Sequence, residues 1–416
     1  MAGINFKSYP NITKITIGNN VSCSNNFKSA FMNMTNMTNC SFPTNNITDM
    51  TQAFYECKNL TGSPICGSKV TNMVRAYHNC YGLTGTPVCG NNVTNMFNAY
   101  YNCRNLKGSP VCGSNVVDMS GAYMLCYNIT GSAVCGPNVT NMAYTYCSSV
   151  NITTPVCGDK VIDMSYAYSG CFRITSAPPV CGPNVKYMCS TYSRCTNMTS
   201  APVIGNNVVN MTGAYEDCYN IKGNPICPPS IGNFSNAYLN CRNLTGSPVC
   251  GNTVYDMSYT YYGCSNLTGS PKCGPNVDWM MSTYENCTNL TGSPVCGNKV
   301  TFMDNTYRNC TKLSGYPVCG PRVQSLNYAY YGCPNMKGNM YVYSNDLRNA
   351  AYCFQGRNAS NRLNIYVYNN SSSRTLNVLM NTGDTSIVGA PITWSSNGSN
   401  YYNTQYNIYI YPVYSM

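Results

Sequence analysis

Val70-Thr71-Asn72-Met73-Val74-Arg75-Ala76-Tyr77-His78-Asn79-Cys80-Tyr81-Gly82-Leu83-Thr84-Gly85-Thr86-Pro87-Val88-Cys89-Gly90 decides the fold, because the chain repeats it. With Met73 as reference position, steps of 23 residues lead to Met96, Met119 and Met142, and steps of 22 and 24 to Met164 and Met188. The series runs on through Met211, Phe234, Met257, Met280 and Met303 to Leu326, and back through Met50 to Phe27. Fourteen copies thus abut without a linker. The apolar columns hardly vary: valine three residues before the reference, tyrosine four after it (Tyr77, Tyr100, Tyr123), leucine or isoleucine ten after it (Leu83, Leu106, Ile129). One such unit cannot bury this set alone, whereas stacked copies place like on like and build a continuous core. A repeat solenoid follows.

Composition agrees. Of 416 residues only 9% are charged, while 44% are hydrophobic and 12% aromatic, which excludes a disordered chain and leaves a surface of neutral Asn, Thr, Ser and Tyr. The net charge of +11 comes from scattered residues with no basic cluster, so no nucleic-acid partner is expected. No apolar run is long enough to cross a bilayer, and the stretch from Met1 to Pro10 lacks the apolar core of a secretory signal. The expectation is a chain made in the bacterial cytoplasm, without membrane insertion, its 28 cysteines reduced.

The unit from Val70 to Thr84 resembles the BspA-like leucine-rich-repeat family of bacterial surface proteins, whose unit has the form V-T-x-I-x-x-x-A-F-x-x-C-x-x-L-T-x-V-x-I-P. The likeness covers roughly residues 24 to 338. The Asn-Met version and the tail rich in Asn and Tyr are also similar to repeat proteins of gut bacteriophages. The resemblance implies a leucine-rich-repeat-like solenoid with one short parallel strand per repeat and a short helical or irregular segment at Ala-Tyr-x-x-Cys. One departure shortens the strands: Pro64, Pro87, Pro110, Pro248 and Pro294 stand where a strand residue would donate to the ladder. Strands of two or three residues are therefore expected around Ile65-Cys66 and its equivalents, in a stack on the order of 70 Å long.

Three regions are expected. Residues 1–26 form an N-terminal cap in which Ile12 to Ile17 alternates and can pair with the first rung; 27–338 form the solenoid; 339–416 form a β-rich C-terminal cap or attachment domain. Strands in the last region are read at Tyr341–Tyr343, Leu363–Tyr368, Ile387–Trp394 and Tyr406–Tyr411.

Two columns invite chemistry. Cysteines seven residues after the reference (Cys57, Cys80, Cys103, Cys241) lack the short spacing of metal ligands and read as a buried structural ladder. The second cysteine column, Cys66 to Cys319, is open between burial and exposure. Asparagines nine after the reference (Asn59, Asn105, Asn128) read as an amide ladder. The column five after the reference varies from rung to rung, which marks it as exposed and makes Tyr55, His78, Tyr101, Tyr262, Arg308 and Tyr331 the candidate surface-binding residues. No paired carboxylates, phosphate loop or nucleophile elbow is found, so neither catalysis nor a cofactor or metal is expected. These readings converge on a non-enzymatic phage virion fibre or surface appendage. Its partners would be a host-surface glycan or protein, other virion proteins and further copies of the chain. A bacterial cell-surface adhesin and a purely structural decoration protein are the alternatives.

Overall fold

The rung begins with an Asx turn. The side-chain oxygens of Asp49, Asn72 and Asn95, each just before a reference methionine, accept the backbone N–H two residues on at 2.8–3.0 Å, the role for which short acidic and amide side chains suit turn starts. The same residues pair between rungs as single parallel bridges, Asp49 to Asn72, Asn72 to Asn95, Asn95 to Asp118 and onward. The computed structural model describes residues 9, 11–18, 25–175, 178–368, 373–380, 387–388, 395–397 and 400–413. It contains two units, Met1–Val208 and Val209–Met416, and the same rung geometry occurs in each.

After the Asx turn the chain makes tight turns through two left-handed residues, two and six positions past the reference: Arg75 and Asn79 at φ 52° and 62°, Asn98 and Asn102 at 52° and 59°. Gly121 and Gly170 take these places elsewhere. Asparagine and glycine tolerate this region best, and they recur at these two positions. Backbone amides are used alternately. Met73, Arg75, Tyr77 and Asn79 donate to carbonyls of the next rung at 2.8–2.9 Å, while Ala76 and Cys80 fold back on Met73 and Tyr77 at 3.0 and 3.1 Å. Where a helical or irregular segment was expected there is a ribbon of turns stitched to its neighbour, because a helix would keep these bonds within one rung.

The expected strands at Ile65-Cys66 are not there; the repeated bridges lie at the Asx residue instead. The reason is the tyrosine column. The Tyr77 hydroxyl donates to the Ile65 carbonyl at 2.6 Å and accepts the Ile65 N–H at 2.8 Å, and Tyr100 does the same for Val88. A side chain thus replaces the ladder that the preceding proline forbids. The rings are solvent-free and stack from rung to rung, Tyr77 on Tyr100 at 5.4 Å and Tyr100 on Tyr123 at 5.6 Å between centroids. The Met, Val and Leu columns close the core around them.

With the rung one residue short aligned on its Pro155, three rungs lack the proline fourteen residues past the reference: Ser41, Ala133 and Met340 stand there. Each has a strand. β1 (Lys14–Thr16) pairs in parallel with β2 (Asn39–Ser41), and Ile15 is buried. β3 (Gly131–Ser132) pairs with β4 (Ile152–Thr154), and the Ala133 N–H continues the pairing to Thr154 at 2.9 Å. At Met340, β5 (Gly338–Val342) opens a five-stranded sheet with β6 (Leu363–Tyr368), β7 (Ser395–Asn397), β8 (Asn400–Asn403) and β9 (Ile408–Val413), in the order β5-β6-β9-β8-β7. The first three in that order are parallel and the last pairings antiparallel.

The rung pattern also continues past residue 338. Asn349 bridges to Ser325, Tyr352 and Gly356 are left-handed, and Phe354 stacks on Tyr330 at 5.7 Å. This further rung has Ala350 in place of the methionine and Phe354 in place of the tyrosine, so its polar motif is gone while its shape remains. Of the strand expected over Ile387–Trp394, Ile387 and Val388 form a turn and residues 389–394 lie outside the described residues. The short α1 (Ser373–Leu379) was not expected. Among the described residues no helix is long and apolar enough to cross a membrane.

Two substitutions test this account. Tyr100→Phe keeps the ring and removes both partners of Val88, so it should cost about 1–3 kcal/mol and speed hydrogen exchange at the Val88 amide; unchanged exchange would refute the tyrosine's role. Ala133→Pro should abolish the pairing of β3 with β4 while leaving the rung folded, read as loss of protection at residue 133's neighbours only.

Candidate binding faces

Most recurring polar side chains are bound to backbone. The Cys57, Cys80, Cys103 and Cys241 thiols are buried and donate to the carbonyl of the aromatic residue in the preceding rung, Phe31, Phe54, Tyr77 and Tyr215, at 2.9–3.1 Å. In the rung where serine replaces this cysteine, the Ser149 hydroxyl makes the same bond to Tyr123 at 2.5 Å. The column is therefore one of hydrogen-bond donors as well as small packing groups. Burial pushes the Cys57 thiol up to about 12 and those of Cys80, Cys103 and Cys241 well above their ordinary value. The second column is half-buried, apart from the buried Cys319. Cys89 accepts the Gly113 N–H at 3.3 Å and Cys227 that of Gly251 at 3.1 Å, and burial raises these thiols to about 12 and 11. The described cysteines are free thiols, and among the described residues no three Cys, His, Asp or Glu side chains converge as metal ligands would.

The asparagine column behaves differently in the two units. Asn105 and Asn128 donate to the carbonyls of Tyr81 and Arg104 in the rung before, at 2.8 and 3.0 Å, with Asn59 exposed at the same place. Amide-to-amide bonds occur in the second unit, Asn243 to Asn220, Asn266 to Asn243 and Asn289 to Asn266, at 3.2–3.4 Å. A further amide ladder stands six residues past the reference, where Asn102 donates to Asn79 at 2.7 Å and Asn309 to Asn286 at 2.9 Å. Sequence reading missed it, although Asn, Asp and Gly recur there; the signal was the left-handed backbone those residues favour.

The six candidates five residues past the reference are half-buried, not fully exposed. In the first unit Tyr55, His78 and Tyr101 form one stack, 4.7 and 4.4 Å between centroids with planes within 15°. The variable column is constrained by ring stacking on adjacent rungs, an effect invisible within one repeat. Burial lowers the His78 pKa to about 4, opposed by Glu56 and reinforced by Arg75, and its Nδ1 is enclosed without a hydrogen-bond partner. In the second unit the Arg308 guanidinium lies over the rings of Tyr331 and Tyr328 at 5.1 and 5.4 Å and 3.5 Å from the Glu285 carboxylate. Tyr328 stacks on Tyr352 at 4.8 Å, and Tyr262 meets Tyr259 at 6.1 Å. Arg308 and Tyr331 are thus brought together, with Tyr262 on an earlier rung of the same unit.

The C-terminal sheet has its own face. Met340, Val342, Ile365, Val367, Ile408 and Ile410 point inward and are buried. Tyr341, Tyr366 and Tyr411 stand in register on the other side, stacked at 5.3 and 4.9 Å. Arg362 lies 4.0 Å over the Tyr409 ring and donates to the Tyr411 hydroxyl at 3.0 Å. The alternation that puts these rings outward was legible in the sequence; the register that aligns them was not.

His78 is the chain's single histidine, so its titration can be followed without assignment. Because its folded pKa of about 4 is below the ordinary value near 6.5, the unfolded chain binds the extra proton between those values. The stabilisation is complete above about pH 6.5 and is lost as pH falls toward 4. The imidazole resonance should shift with a midpoint near 4, and His78→Phe should remove the acid-side loss of stability; a midpoint near 6.5 would contradict the buried stack.

No protein-family profile matches the sequence and no curated protein matches it. Among solved structures the chain is similar to a leucine-rich repeat protein from Bacteroides ovatus, at 18% identity and a TM-score of 0.54, over 79% of this chain and 78% of that one. It is also similar to a leucine rich cell surface protein from Faecalibacterium prausnitzii, at 15% identity and a TM-score of 0.37, over 91% of each chain. The first of these likenesses, at 18% identity, speaks for fold alone, and with the rung geometry it makes this chain a leucine-rich-repeat solenoid.

Proposed function

We propose that the chain is a non-enzymatic recognition protein, an adhesin-like solenoid displayed at a surface, whose half-exposed aromatic columns bind glycans of another surface. The observation that carries the reading is the group Tyr259, Tyr262, Arg308, Tyr328, Tyr331 and Tyr352. These side chains sit two and five residues past the reference on a backbone pinned rung to rung. Rings held this way lose little conformational freedom on binding, which favours rigid, low-charge contact with hydroxyl-rich partners. The near-absence of variation in the core columns and the greater variation in these two fit a scaffold that is constant inside and adapted outside.

Display on a phage virion is the finer form of this reading. It is supported by the Asn-Met repeat and the Asn- and Tyr-rich tail, which resemble gut-phage repeat proteins; display on a bacterial envelope is supported by the likeness of the repeat to BspA-like surface proteins. Mass spectrometry of purified virions and of envelope fractions separates the two, and recovery from envelopes alone would refute the virion form.

For recognition itself, Tyr262→Ser combined with Tyr331→Ser should weaken attachment of the purified chain to target cells about tenfold, with the unfolding midpoint lowered only slightly, since ring contacts of this kind contribute about 0.5–1.5 kcal/mol each. Attachment by the double variant equal to that of the parent chain would sink the assignment of binding to these columns.

A further inference from the structure

One repeat breaks its own rule at a surface position. The residue between glycine and proline is the small polar Ser63, Thr86, Ser109, Asn224, Ser247, Ser270 or Ser293 in other rungs, and in one rung it is Tyr316. This ring is 60% exposed, so it serves no core. It lies against Gly338, at φ +85°, the left-handed glycine that stands at this place in other rungs as well, as Gly292 does against Ser270 and Gly315 against Ser293. The next repeat departs from the pattern at the same level, with Asn339, Tyr341 and Tyr343 where other rungs have serine, valine and glycine.

These departures meet in one place. A hollow of about 320 Å³ is lined by Tyr316, Tyr341 and Tyr343, with Asn339, Asn298 and the prolines 317 and 321 completing its wall. Tyr341 and Tyr343 are covered on the β6 side by Tyr366 and Tyr368, at 5.3 and 4.9 Å, so each ring has one side packed and the other turned to the hollow. The Asn339 amide is oriented from behind, its oxygen accepting from Asn364 at 2.8 Å, and its nitrogen lies 3.4 Å from the Tyr341 hydroxyl.

The geometry points to a binding site for an uncharged saccharide in this hollow. No Asp, Glu, Lys, Arg or His lines it, so a phosphate, a sialic acid or a charged peptide side chain would enter without a counter-charge, at a cost that ordinary contacts do not offset. Three phenol rings offer flat apolar faces to the C–H side of a pyranose, and the phenol hydroxyls and two amides can each donate to and accept from sugar hydroxyls. The volume is at the small end of ligand pockets, which suits one or two sugar units at the end or bend of a glycan. An aromatic groove can also take a proline-rich peptide, but such grooves do not need the amide pair that this rim presents.

This inference rests on the recognition reading above and gives it a ligand class and a second location. The test uses the full-length chain and a panel of uncharged gluco-, galacto- and manno-oligosaccharides, with binding read by calorimetry and by saturation transfer to the sugar protons. Tyr316→Ser restores the side chain that neighbouring rungs carry and so leaves the fold intact. It should weaken binding about tenfold or more, as should Tyr343→Ser, while Tyr255→Ser, at an exposed ring outside both binding assignments, leaves sugar binding unchanged. Binding unaffected by Tyr316→Ser and Tyr343→Ser but lost in Tyr262→Ser overturns the site and leaves recognition by the columns standing. Capture of a proline-rich peptide in preference to every sugar of the panel overturns the ligand class. If the parent chain binds neither the sugars nor intact target cells, the recognition reading falls, and this inference with it.

Discussion

The hydroxyl of the buried tyrosine is the interaction on which the rungs depend. A proline in each Gly-Ser-Pro segment removes a backbone donor and blocks β-pairing there, leaving the following residue with an N–H and a C=O to satisfy beside an apolar core. The tyrosine twelve residues later bonds to both. Orphaned backbone groups inside a protein are costly, so the ring is held in the same pose in rung after rung, and identical poses at one rung spacing become a stack. The methionine, valine and cysteine columns pack around that stack.

The low charge has a related origin. A rung that turns back through two left-handed residues needs glycine or asparagine at many of those places, and a stacked repeat puts each side chain against its own copy. Like charges in such a column would repel at every rung, whereas amides donate in one direction and accept in the other. The chain accordingly bonds Asn, Ser, Thr and Cys side chains to the carbonyls and amides of the rung before. The charged exceptions are held locally, as Arg308 is by Glu285 and two rings.

Irregularities are informative because the background is so regular. Loss of proline at Ser41, Ala133 and Met340 coincides with the strands β2, β3 and β5, and two of these three sites lie at the ends of the repeat array, where pairing with a cap is needed. Tyr316 is an irregularity of another kind. It adds an exposed ring where the repeat has a small polar side chain.

From the sequence by itself came the period, its steps of 22 and 24 residues, the buried columns and the strand-forming stretches at Tyr341 and Leu363. These are local patterns, and a 23-residue register repeats them until they are unmistakable. Only the tertiary structure decided where the rungs pair, because a proline tells which bond is missing but not that a tyrosine hydroxyl twelve residues on replaces it. It also decided that Ala350 and Phe354 build one more rung, since shape outlasts the motif. Above all it decided which variable residues share a face. His78 between Tyr55 and Tyr101, or Tyr316 beside Tyr341 and Tyr343, are neighbours through the stacking of rungs, and proximity across rungs is set by backbone bonds that no single repeat reveals.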